Sequence, residues 1–103
     1  MIKSSRLQGA SALIFTGHCR LRGISFTGDI ATIITLTVYD NTTNTDAATT
    51  PIVAYLRASS INTDTGNPTI NLMFPDNGID CSTGIYAALS GATGDYIIYY
   101  ETL

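Results

Sequence analysis

The sequence predicts an all-β chain: a single-domain antiparallel β-sandwich, jelly-roll or Greek-key-like, with seven to eight short strands. Three observations carry that expectation. Thr, Ile, Val, Tyr and Phe recur in short alternating runs, with the period of two that a half-buried strand imposes. Clusters of Gly, Asn, Asp and Pro separate the runs at fairly regular intervals, as turns in a sandwich do. No apolar stripe at helical spacing occurs, so nothing supplies the helical crossovers that a parallel sheet needs.

Taken in order, MIKSSRLQGA (1–10) reads as an N-terminal arm, and residues 11–103 form the sandwich domain. SALIFTG (11–17) and HCRLRGISF (18–26) read as strands. In the second, Cys19 and Leu21 hold one parity while Ile24 and Phe26 hold the other, which a bulge at Gly23 reconciles. TIITLTVYD (32–40) alternates Ile34, Leu36 and Val38 inward against Ile33, Thr35, Thr37 and Tyr39 outward. PIVAYLRAS (51–59) sets Ile52, Ala54 and Leu56 against Val53, Tyr55 and Arg57, with its proline at the first position, where no ladder donor is lost.

PTINLMF (68–74) turns Ile70, Leu72 and Phe74 inward, GIYAALS (84–90) turns Ile85, Ala87 and Leu89 inward, and DYIIYYE (95–101) closes the chain. The stretches 40–51 and 59–68 are Thr- and Asn-rich and read as exposed loops, and GATGD (91–95) reads as a hairpin turn.

The bulk numbers narrow the function classes. At 103 residues a domain still exposes more than roughly a third of its unfolded surface. Hydrophobic residues make up 45% and charged residues only 13%, so apolar area is left over for contact with another chain. The net charge is −3, which disfavours nucleic-acid binding through a basic surface. Four of the five cations, Lys3, Arg6, Arg20 and Arg22, precede residue 23, while all eight acids lie between Asp29 and Glu101. The cationic end is therefore a candidate contact for something acidic, against the plainer reading of solvated side chains flanking early strands.

No signal-peptide pattern and no run of membrane-helix length is present, so the chain is expected to be made in the cytosol, with no membrane partner. In that compartment Cys19 and Cys81 are expected as buried reduced thiols rather than a bridge.

Residues 74–91, FPDNGIDCSTGIYAALSG, raise the question of a site. Asp76 and Asp80 sit on polar turns, where aspartates are ordinarily ionised and solvated, which does not suit a glycosidase pair. The sole histidine, His18, adjoins Cys19 rather than Cys81, and Asp80 beside Cys81 opposes thiolate formation. His18, Cys19, Asp80 and Cys81 lack zinc-ligand spacing, and NTDTGN (62–67) falls short of a calcium loop. A corner accounts for the stretch better: Pro75 followed by Asp76-Asn77-Gly78 supplies a tight turn, and Gly84 supplies a second. No catalytic residue, metal or cofactor is expected.

The segments LRGI, TLTVYDNT, AYL and INLMFPDNGIDCSTGIYAALSGATGDYIIYYE, spanning about residues 20–101, together resemble the small β-sandwich virion proteins of tailed bacteriophages. Proteins of that kind decorate, cement or project from capsids. The resemblance rests on turn glycines and core positions, and the chain before residue 20 lies outside it. It implies a non-enzymatic protein, a homotrimer or an otherwise symmetric assembly, that binds a major capsid protein or another virion protein through an N-terminal arm and one sheet face. It also implies residence in the virion. On that reading Lys3, Arg6, Arg20, Arg22, Tyr86, Tyr96, Tyr99 and Tyr100 are the candidate capsid or subunit contacts, since aromatic residues concentrate in interface cores.

The alternative is a receptor- or glycan-binding module of a phage fibre or tail, with Tyr39, Tyr55, Asp64 and Asn67 as sugar contacts. The absence of Trp weighs against it. An enzyme is disfavoured, because one histidine and no acid cluster leave few general bases.

Overall fold

In the computed structural model, residues 1–28, 33–42, 51–58, 69–90 and 94–103 are described. They hold nine strands: β1 (Ile2–Ser4), β2 (Ala12–Thr16), β3 (Cys19–Thr27), β4 (Ile34–Tyr39), β5 (Ile52–Ala58), β6 (Thr69–Met73), β7 (Ile79–Cys81), β8 (Gly84–Ser90) and β9 (Asp95–Thr102). One sheet runs β1-β9-β3-β6, with β7 also on β3, and the other runs β2-β8-β4-β5. All pairings are antiparallel.

The pairings nest. β4 pairs β5; outside that, β3 pairs β6 and then β7; outside that, β2 pairs β8; and β1 pairs β9 last. This is one long hairpin, rolled until β8 also meets β4 and β9 also meets β3, which is the jelly-roll arrangement of two packed sheets. β6 and β7 share one position in the roll, and β1 adds an edge strand inside the stretch read as an arm, so nine strands appear where seven to eight were expected.

Alternation builds the core. Ile34, Leu36 and Val38 of β4, Ile85 and Ala87 of β8, Ile24 and Phe26 of β3, and Tyr96 and Ile98 of β9 are buried and face the opposite sheet. Each large side chain withdrawn from water in this way contributes about 1.5–3 kcal/mol. The parity change in β3 is real: Leu21 pairs Tyr100 but Gly23 pairs Tyr99, leaving Arg22 as the extra residue. At the same point β3 changes its other neighbour, with Leu21 opposite Ile79 and Gly23 opposite Met73.

Two expectations are corrected. Ile52 is exposed rather than inward, because the register shifts between Val38↔Ala54 and Tyr39↔Ile52 and the extra residue, Val53, swings Ile52 to the outer face. β8 and β9 do not form the hairpin expected around GATGD: β8 lies between β2 and β4 in one sheet, β9 lies between β1 and β3 in the other, and residues 91–93 lie outside the described residues. A short Gly-rich connection suits a hairpin and an inter-sheet crossing equally, and pairing partners already held by other strands decide between them. Most of the 40–51 loop and all of the 59–68 loop lie outside the described residues.

Candidate functional site

The 74–91 stretch is a corner built by three interactions. First, the turn after Pro75 places Asp76 at φ 59° and Gly78 at φ 80°, and Gly78 N–H donates to the Pro75 carbonyl at 3.1 Å. Second, β7 lies along the start of β3, setting Cys81 opposite Cys19 and Asp80 opposite Arg20. Third, the carboxylate of Asp40, just past β4, accepts from the backbone N–H groups of Ser82 at 3.1 Å, Thr83 at 2.9 Å and Gly84 at 3.3 Å. The Gly78, Ser82, Thr83 and Gly84 N–H groups are thus satisfied within the fold.

Alternation separates the chemistry of this corner. Cys19 and Cys81 are free thiols, wholly buried. Burial, with the charge of Asp40 second, pushes Cys19 up to about 11 and Cys81 up to about 12, so both are protonated at neutral pH. His18 and Asp80 stand on the exposed side, with Nε2 and Oδ1 2.7 Å apart. Among the described residues no three of His, Cys, Asp and Glu converge as a metal site would require.

The two outer faces of the sandwich differ in kind. On the β1-β9-β3 sheet, Ile2, Glu101, Arg20 and Asp80 line up across neighbouring strands. Glu101 takes Arg22 at 3.1 Å and the Met1 amine at 3.6 Å. Farther along, the Ser25 hydroxyl donates to Asn71 Oδ1 at 2.8 Å. The Glu101 end of this face is polar and self-paired, while farther along Met73 and Tyr99 flank Gly23, with Met73 61% exposed.

The outer face of the β2-β8-β4-β5 sheet carries a continuous apolar row. Leu13 pairs Tyr86, Tyr86 pairs Tyr39, and Tyr39 pairs Ile52, one residue from each of the four strands. In the next row Ala88, Thr37 and Tyr55 align. Leu13, Ile52 and Tyr55 are 49%, 56% and 59% exposed, and no acid stands in either row. Bulges make the row: an extra residue, Ile14 in β2 and Val53 in β5, turns Leu13 and Ile52 outward.

The sequence-selected residues scatter over these surfaces. Lys3 and Arg6 are exposed near the β1 edge, and Arg6 has φ 64°. Arg20 and Arg22 are half-buried on the polar face, where Glu101 neutralises Arg22. Tyr86 lies in the apolar row, and Tyr99 lies on the polar face opposite Gly23. Tyr100 faces inward against Phe15, with ring centroids 5.5 Å apart.

Tyr96 offers no surface for a partner. It is 1% exposed, and its hydroxyl donates to the Ala10 carbonyl at 2.7 Å. Of the sugar-contact candidates, Tyr39 is covered at 9% exposure, while Asp64 and Asn67 fall outside the described residues. Leu13 and Ile52 were not singled out by sequence, because bulge positions are invisible to simple alternation. Comparison with family models, with curated proteins and with solved structures yields no match.

Proposed function

We propose that this chain is a structural subunit that works by assembly: a virion decoration or cement protein that associates with sister copies and binds a capsid surface. The observation that carries the reading is the row Leu13–Tyr86–Tyr39–Ile52, with Ala88 and Tyr55 beside it, crossing an entire sheet face without an acid. Within it Leu13, Ile52 and Tyr55 stay exposed while Tyr39 is covered, and exposed apolar side chains gathered on one face of a small domain mark an interaction surface. Covering Leu13, Ile52 and Tyr55 would contribute about 1–3 kcal/mol each. The phage assignment itself rests on the resemblance of residues 20–101, and homotrimeric symmetry is part of that reading.

Set against a sugar-binding module, the exposed ends of the row, Leu13 and Ile52, are aliphatic and Tyr39 is covered, leaving Tyr55 as the open ring among its described suspects. The test combines native mass spectrometry of the full chain with co-sedimentation on empty capsids. A defined oligomer that binds capsids is expected, with Ile52→Asp abolishing association while the monomer keeps the β-sheet circular dichroism of the folded chain. A strict monomer at micromolar concentration that fails to bind capsids overturns the reading.

A further inference from the structure

The strongest unassigned feature is the pairing of Cys19 with Cys81, which stand directly opposite each other in the β3·β7 ladder. Directly opposed residues of an antiparallel pair lie on the same face with Cα atoms about 4.5–5.5 Å apart. A disulfide spans Cα separations of about 4.4–6.8 Å. Both side chains are wholly buried, and the Cys81 thiol donates to the Ile79 carbonyl at 3.7 Å. Two thiols so placed need only rotamer adjustment, not backbone movement, to bond.

We propose that Cys19 and Cys81 are a modification site: a cross-strand thiol pair that closes to a disulfide with low-molecular-weight disulfides and thereby clips β7 to β3. One thiol gives up its proton and the thiolate attacks the oxidant RSSR, forming a mixed disulfide and expelling RS⁻, which takes up that proton as RSH. The second thiolate then attacks the protein sulfur of that intermediate, forming the 19–81 bond and releasing a second RSH. The protein loses two hydrogens and RSSR is reduced to two RSH.

The fold supplies both protection and access. In the closed structure the thiols are out of reach and held protonated, so they are inert. Access comes through β7 itself. That strand is three residues long, set between turns whose Asp76, Asn77, Ser82 and Thr83 are exposed, the kind of segment that opens locally at low cost. The bridge joins distant parts of the chain, so it constrains the unfolded state strongly. This site is independent of the assembly role and stands or falls without it.

The experiment uses the full chain, treated in two ways: native protein incubated with oxidised glutathione, and denatured reduced protein refolded in a glutathione redox buffer. Peptide mapping without reductant reads the product, and thermal unfolding reads its effect. Both routes are expected to converge on one intramolecular 19–81 bridge that raises the melting temperature by roughly 10 °C and is reversed by dithiothreitol. Cys19→Ala and Cys81→Ala, which lack the resolving thiol, are each expected to stop at a single glutathione adduct that dithiothreitol removes. For the unsubstituted protein, two free thiols at equilibrium, stable glutathione adducts, intermolecular dimers, or a bridge that fails to raise the melting temperature would each overturn the proposal.

Discussion

The carboxylate of Asp40 holds the backbone N–H of Thr83 at 2.9 Å, joining the end of β4 to the β7–β8 turn across the seam between the two sheets. The same carboxylate takes Ser82 and Gly84 N–H and the Ser82 hydroxyl. An ionised acceptor serving several backbone donors is stronger than neutral pairings. Asp40→Ala is expected to lower stability by about 2 kcal/mol, and Asp40→Asn, which keeps an acceptor but loses the charge, by less. Urea unfolding of the three proteins gives the ranking.

Tyr96 anchors the first ten residues through its hydroxyl on the Ala10 carbonyl, beside a two-way backbone bridge with Gln8. Tyr96→Phe keeps the ring in the core and removes that bond. A loss of about 1 kcal/mol is expected, together with faster amide exchange at Gln8. Hydrogen exchange followed by mass spectrometry separates this local release from global destabilisation.

Gly78 combines φ 80° with a close approach to the chain it turns beside: a Cβ there would lie 2.3 Å from the Leu21 carbonyl oxygen. Neither the backbone angle nor the contact is relieved by a side-chain rotation. Gly78→Ala is expected to cost at least about 2 kcal/mol, whereas Asn77→Ala, in the same exposed turn, costs little. Thermal unfolding of both variants checks the contrast.

Alkaline pH acts on the core itself. Burial raises Cys19 from 9.0 to about 11, Cys81 from 9.0 to about 12 and Tyr96 from 10.0 to about 12. The folded protein binds these protons more tightly than the unfolded chain does, so the stabilisation is complete below pH 9 and is lost as the pH rises through the folded values. Melting temperature is expected to hold level to pH 9 and then fall steeply toward pH 12. Replacing both cysteines by alanine should make the early part of that fall shallower.

The alternation of β4 made its core face legible residue by residue, because that strand is regular and buried on one side. The parity break at Gly23 likewise announced a bulge, found one residue earlier at Arg22. Ile52 misled because its bulge, at Val53, leaves no glycine or proline behind. The partner of each strand was equally hidden: Gly-rich connections say where a strand ends and nothing about which sheet receives the next. The apolar row on the outer face was illegible for the same reason, since it arises only when four strands from distant parts of the chain fall into register. Tyr96 and Tyr100 show the limit of composition, as two tyrosines of one strand turned inward where surface contacts were expected.

The nested pairing also dictates how the molecule comes into being. Only β4 and β5 join strands that follow one another in the chain and pair in the same sheet; every other ladder, β3·β7 included, must wait for a segment made much later. Closing such distant segments is entropically slow, so folding of this roll is expected on a timescale of milliseconds to seconds and not microseconds. Until Asp95–Thr102 arrives, β3 lacks the neighbour that covers its long central edge, and a nascent chain spends its synthesis as an open half-roll, dependent on dilution or chaperones to stay solitary.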